Sequence, residues 1–263
     1  GKALEAAGIL DNFEKVIPDH PLIADLRAEI TAGKVPGPLV ANAQAGAAEL
    51  LYGLGAAIGR ENDEETAAIY LQLAIWLDPK AELPLVTLAS IHGQLKKYDK
   101  SIAILEKIPE SSSIRPMVDI QIGRYFNLLN NFEEARSHLE ASLKRNPKDI
   151  DAIMALGDVL RGNKKFVEAS EVYSRAIEAI GTPKKTDWSL FYYRGITYER
   201  TKQWPKAEAD FFKALELNPN EAHVLNYLGY SWIDMGMNLD KGLDLVKQAV
   251  ELKPDDGYIV DSL

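Results

Sequence analysis

The chain of 263 residues contains no cysteine. That removes disulfides, thiolate metal sites and cysteine nucleophiles at once, and it leaves the compartment open. No run approaches the roughly 20 apolar residues that a membrane-spanning helix needs, so direct membrane insertion is not expected of this stretch. Basic residues are in deficit: 30 Lys and Arg face 39 Asp and Glu, a formal net charge of −9, and no Lys/Arg block concentrates positive potential locally. A surface of that sign repels phosphate backbones, so nucleic acid is not an expected partner. Histidine is scarce. His20, His92, His138 and His223 never stand three to five residues apart and form no His-Glu-x-x-His pattern, so no metal and no cofactor is expected. Nothing matches a Gly-x-Ser-x-Gly elbow, and Gly53-Leu54-Gly55 lies inside a helical pattern with no strand before it. The expectation is a protein without catalytic residues.

What is abundant is apolar material, 46% of the chain, enough for a long core and too much for disorder. It recurs with a period. A small residue returns at Gly55, Ala89, Gly123 and Gly157 in steps of 34, then at Gly195 after 38 and at Gly229 after 34 more. Counting Ala48 as position one, positions eight, twenty, twenty-four, twenty-seven and thirty-two are Gly55, Ala67, Leu71, Ala74 and Pro79. The same frame gives Ala135, Leu139, Ser142 and Pro147 from Pro116, and Ala207, Phe211, Ala214 and Pro219 from Trp188. After one inserted residue it gives Gly242, Val246, Ala249 and Pro254 in the last unit. A period of this length predicts stacked pairs of helices. Small residues let helix backbones approach, larger apolar ones fill the space, and Pro ends the second helix.

On this frame Leu51, Leu54, Ile58, Phe126, Leu156, Leu160, Tyr198, Leu228 and Trp232 are expected in the core, and His92 is expected there as a satisfied histidine. The unit from Glu82 departs most, with Ser101, Ile108 and Ser113 replacing Ala, Ala and Pro, so its second helix is expected to end differently. The four extra residues around Gly181-Thr182-Pro183-Lys184-Lys185 predict a longer loop and a tilt in the stack. Before the repeats, Ala3–Ile17 has helical periodicity and stops at Pro18, and Pro21–Thr31 reads as a second helix before the breakers Gly33, Pro36, Gly37 and Pro38.

At these residues the chain resembles the tetratricopeptide repeat (TPR) family, whose signature is a large residue, Leu-Gly, Tyr and then Ala, Ala and Pro over one repeat. The stretches Tyr227-Leu228-Gly229-Tyr230-Ser231-Trp232 and Ala207…Phe211…Ala214…Pro219 carry it best. The resemblance implies an all-α, right-handed α-solenoid. Its expected parts are irregular repeat helices over 1–47, six units (48–81, 82–115, 116–149, 150–187, 188–221 and 222–256), and the truncated start of a further repeat over 257–263. The chain therefore reads as a piece of a longer array, with no targeting leader in this stretch. Gly46–Gly55, Gln203–Asp210 and Asp256–Leu263 resemble long bacterial TPR proteins, which implies an exported or envelope-associated protein, periplasmic rather than cytoplasmic.

The resemblance also places first helices along a concave groove. The side chains expected there are Arg124, Asp158, Arg161, Tyr192, Tyr193, Arg200, Asn226, Tyr227 and Tyr230. Four tyrosines on adjacent helices offer stiff, amphipathic contact area, and Arg and Asn can bond a peptide backbone or carboxylate. The implied function is a non-catalytic scaffold that binds a protein or peptide as an assembly or adaptor factor. The family's chaperone-tail carboxylate clamp is not among its features, because Tyr52, Ala56, Thr87, Met117 and Gln121 stand at the clamp positions. Trp76 falls where other units carry Lys144, Glu216 and Glu251, so it is expected at the surface, either covered by the segment around Val35–Val40 or available as a second contact. The alternative reading is a structural array that self-associates, a homo-oligomer without a peptide ligand.

Overall fold

The computed structural model describes residues 2–16, 21–34 and 40–263. Pro18, His20 and most of the Val35–Val40 segment expected against Trp76 lie outside the described residues. Fifteen α-helices and no strand occur among the described residues. They fall into two compact units, Gly1–Arg145 and Asn146–Leu263.

The first unit holds α1 (Lys2–Glu14) and α2 (Pro21–Thr31), which pair with each other, and then three hairpins. These are α3 (Ala43–Arg60) with α4 (Glu64–Leu77), α5 (Glu82–Gln94) with α6 (Tyr98–Leu105), and α7 (Arg115–Leu128) with α8 (Phe132–Arg145). The second unit holds α9 (Ile150–Gly162) with α10 (Phe166–Ile180), α11 (Trp188–Arg200) with α12 (Trp204–Leu217), α13 (Ala222–Asp234) with α14 (Leu239–Leu252), and the short α15 (Gly257–Val260). Within each unit the second helix of one hairpin packs on the first helix of the next. Each unit is therefore a stack of helical hairpins.

Helix starts follow local chemistry. Asn42, Asp63 and Asp149 accept from the backbone N–H of Ala45, Thr66 and Ala152 and so satisfy otherwise unpaired donors. The hairpin turns repeat with the sequence period. Asn62, Lys96, Asn130, Lys164, Lys202 and Gly236 all have positive φ, between 56° and 66°. In five of the six, the next residue's N–H reaches back to close the first helix, as Lys165 does to the Leu160 carbonyl at 2.8 Å and Gln203 to that of Tyr198 at 2.8 Å.

The recurrent glycine marks the crossing inside a hairpin. A Cβ on Gly55 would come within 2.9 Å of Leu71, on Gly123 within 2.7 Å of Leu139, on Gly157 within 2.4 Å of Tyr173 and on Gly195 within 2.7 Å of Phe211. In the hairpin of α5 and α6 the residue is Ala89, and the Ser101 hydroxyl donates to its carbonyl at 2.8 Å. There α6 ends at Leu105, and Ile108 beyond it is buried in the core. The extra residues after α10 form a loop with Gly181 at positive φ and a 3-10 turn at Lys185–Asp187.

Leu156, Leu160, Leu228 and Trp232 are buried as expected, and Leu51, Ile58, Phe126 and Tyr198 are half-buried. Leu54 departs from expectation at 42% exposed. Its counterpart Leu88 packs on Ala67 and Leu71 of the hairpin before it. Among the described residues the main packing of α3 is with α4 and α5, which follow it. His92 is half-buried and not satisfied: its Nδ1 is buried with no hydrogen-bond partner. Burial, with Lys100 and Lys97 nearby, holds its pKa below the usual histidine value.

Candidate functional site

Eight of the nine expected groove residues lie in the second unit, on α9, α11 and α13. Arg124 lies in the first unit, exposed on α7; a small apolar cleft of about 170 Å³ in that unit is lined by Val86 and Ala89 of α5 and Met117 and Tyr125 of α7.

In the second unit the aromatic side chains form one continuous ledge. Tyr173, from α10, stacks on Tyr193 of α11 at 6.2 Å between centroids. Tyr193 leans on Tyr192 at 5.2 Å, and Tyr192 meets the Tyr227 ring of α13 edge-on at 6.1 Å. The guanidinium of Arg161 lies 4.8 Å from the Tyr193 ring centre, a cation–π distance. Two of the tyrosine hydroxyls find a carboxylate. Tyr173 donates to Asp158 at 2.9 Å and Tyr227 to Glu199 at 2.9 Å, while Arg161 reaches Asp158 at 3.3 Å.

These residues do not all face outward. Tyr192 is only 9% exposed and belongs to the core around Phe191, Phe211 and Trp232. Asn226 is also buried. Its amide donates to the Ser262 hydroxyl at 3.1 Å, and its Oδ1 has no partner. Tyr192 is covered by the rings of Tyr193 and Tyr227 beside it, and Asn226 by the segment after α14 that carries Ser262. Of the eight, Arg200 and Tyr230, the latter at 51%, are exposed, and Tyr258 of α15 is 62% exposed.

Burial pushes the Tyr173, Tyr192 and Tyr227 hydroxyls well above the ordinary tyrosine value, and Asp158 adds to this for Tyr173 as Glu199 does for Tyr227. A raised folded-state pKa leaves stability intact below the unfolded value of about 10 and removes it as pH climbs past that value. In an alkaline titration followed by tyrosinate absorbance, three of the 11 tyrosines should stay silent until helical circular dichroism is lost. Their ionisation in step with the other tyrosines, with helicity intact, would contradict the burial described.

Two clefts open on the ledge. One, of about 320 Å³, is lined by Glu199, Arg200, Tyr227, Tyr230, Asp234 and Tyr258. The other, of about 480 Å³, is lined by Arg161, Lys164, Tyr192, Arg200, Tyr227 and Tyr258, among others. Lys164 and Tyr258 were absent from the sequence-level site. Tyr258 was legible in principle, since counting from Gly257 it holds the second position, a groove position. Lys164 was not legible, because it sits in the left-handed turn after α9.

Trp76 is 74% exposed, and Leu73 and Ile69 are exposed one and two turns before it on α4. Among the described residues no group of three or more His, Asp or Glu could hold a metal ion, and no helix is long and apolar enough to cross a membrane.

Sequence reasoning also missed two ionic networks. In the fourth position of the repeat, where other units carry Leu51, Leu85, Ile153, Phe191 and Leu225, the third hairpin carries Asp119. Its carboxylate, 2% exposed, receives the Arg115 guanidinium at 2.9 Å and pairs with Arg145. In the seventh position, where Leu88, Ile122, Leu156 and Leu228 stand, the fifth hairpin carries Arg194. Arg194 makes two bonds of 2.8 Å to Asp210 and one of 3.1 Å to Ser174. A charge in an apolar column of the repeat was the available signal.

Comparison with known proteins places this architecture. Three tetratricopeptide repeat profiles match residues 85–108, 123–182 and 188–221. The BBSome complex member BBS4 of Mus musculus is 25% identical over 178 residues, covering 67% of this chain and 33% of that protein. The chain spans about a third of the length of the curated relatives it first matches. Among solved structures, the anaphase-promoting complex hetero-tetramer Cut9–Hcn1 superposes with a TM-score of 0.65 at 15% identity, over 99% of this chain and 52% of that one. YrrB, described as a TPR protein with an unusual peptide-binding site, superposes at 0.54 with 18% identity, over 73% of this chain and 96% of its own. At those identities the likeness is one of fold. The helical hairpins, the small residue at each crossing and the three matched segments agree: the chain carries tetratricopeptide repeats.

Proposed function

We propose that the chain is a non-catalytic interaction scaffold that holds a protein segment against the ledge of α9, α11 and α13, as an assembly or adaptor factor. The repeat boundaries set out above, from 48–81 to 222–256, are part of this proposal. The observation that carries it is the pair of clefts sharing Arg200, Tyr227 and Tyr258. Rings fixed by buried neighbours lose little freedom on contact, and rim charges add direction. YrrB, with a peptide-binding site on a similar fold, supports the reading.

The test must spare the core. Tyr192→Ala would empty a buried aromatic site at a cost of about 3–5 kcal/mol, so loss of binding in that variant would report unfolding. The exposed Tyr230 and Tyr258 are the better targets. With both changed to Ala, helical content should be unaltered while retention of partner proteins from extracts falls at least about tenfold, the loss of about 1.4 kcal/mol. Equal retention would overturn groove binding and favour self-association through the exposed Ile69, Leu73 and Trp76 face of α4.

A further inference from the structure

On a chain of net charge −9, a cationic cleft is a local departure. The larger cleft is lined by Arg161, Lys164 and Arg200 and by no carboxylate. Asp158 reaches Arg161 at 3.3 Å but also accepts from Tyr173. Arg200 approaches Glu199 through Nε at 3.4 Å, and its side chain is more than half exposed. The ammonium of Lys164 has no ion-pair partner among the described residues. The adjoining cleft reverses the sign: it is lined by Glu199 and Asp234, and Asp234 has no cationic partner among the described residues. Arg200, Tyr227 and Tyr258 belong to both clefts, so the surface is continuous, positive toward α9 and negative toward α13.

On the basis of the groove reading above, we propose that the occupant is an extended peptide with an ordered pair of opposite charges. Its acidic side chain lies among Arg161, Lys164 and Arg200, a short apolar spacer lies over Tyr227 and Tyr258, and its basic side chain reaches Glu199 and Asp234. The spacing follows from the stack. The cationic set spans α9 and α11 and the acidic set α11 and α13, so their centres are offset by one helix step of about 8–10 Å, which an extended chain at about 3.3 Å per residue covers in about three residues. A polyanion such as nucleic acid meets repulsion at the acidic end, and a uniformly basic segment meets it at the other. The charged contacts are solvent-accessible, so they add selectivity that salt screens, while ring contacts supply a salt-insensitive remainder.

A displayed library of random dodecapeptides, selected on the whole chain, tests this. Enriched peptides should carry an acid and a base about three residues apart. A synthetic copy should lose about tenfold in affinity when both charges become Gln, and a comparable amount in the K164E/R200E variant. Enrichment without charge order that vanishes when Tyr230 and Tyr258 are changed to Ala would overturn the charge order and leave the groove reading standing. Enrichment that ignores both pairs of substitutions, or no enrichment at all, would overturn both.

Discussion

Asp119→Ala should destabilise the first unit by about 3–5 kcal/mol, the range for breaking one partner out of a buried ionic network. Arg115 is the reason. Its guanidinium is 7% exposed, donates to the Ile108 carbonyl at 2.7 Å and to Asp119 at 2.9 Å, and pairs with the exposed Glu110 at 2.9 Å. Arg145 joins both carboxylates. Without Asp119 two cations remain beside an apolar core with one exposed acid between them. Replacing Asp119 and Arg115 together by leucine and methionine should cost far less, because it removes the uncompensated charge and restores the apolar column of the other repeats. The amides of α7 and α8 report the outcome by hydrogen exchange, which follows local opening in a repeat stack that need not unfold as one. A single substitution as mild as the double would mean that the network contributes little.

The same carboxylate sets an acid limit. Burial pushes its pKa up, but His138, Arg145 and Arg115 outweigh that and hold it below the ordinary aspartate value. A group depressed in the folded state contributes stability that is complete above its unfolded value of about 3.9 and is lost as pH falls toward the folded one. Exchange protection of α7 and α8 should therefore weaken below about pH 4, and in Asp119→Ala this step should be missing.

Gly157→Ala is the second large effect. A single methyl there would sit 2.4 Å from the Tyr173 ring, whose side chain is fully buried and held by Asp158 at 2.9 Å. A ring cannot yield as the end of a leucine can. Overpacking of this kind costs about 1–3 kcal/mol, and the helix propensity gained over glycine, about 1 kcal/mol, offsets only part of it. Gly53 is the control: it lies inside α3, is exposed, and a Cβ there meets nothing within 4 Å. Gly53→Ala should stabilise by about 0.5–1 kcal/mol. Thermal unfolding of the two variants should move in opposite directions. A shared direction would mean that position eight is set by propensity and not by the approach of α10.

The contrast between these glycines shows what was legible. The spacing of Gly55, Gly123, Gly157, Gly195 and Gly229 is visible in the sequence, because a hairpin crossing recurs at fixed phase and only a small residue fits. The turns were less visible. Lys96, Lys164 and Lys202 adopt the left-handed conformation that Gly236 adopts in the last hairpin, because the closing hydrogen bonds of the first helix outweigh a cost of about 1–2 kcal/mol for a side chain there. A lysine carries no sign of that in its identity.

The groove divides in the same way. Tyr192, Tyr193, Tyr227 and Tyr230 share one family-implied set of positions, yet Tyr192 belongs to the core, Tyr193 and Tyr227 are half-buried and Tyr230 is exposed. What the sequence determined by itself is the class of architecture, the hairpin crossings and the column each residue occupies, because these follow from periodicity within one repeat. Which groove residues remain accessible, where Asp119 and Arg194 find their partners, and how Tyr258 joins Arg200 were decided only by the tertiary structure. Apart from the pair of Asp119 with Arg115 on its own helix, those outcomes depend on neighbours 16 or more residues away along the chain, and a repeat frame specifies position without specifying what stands opposite.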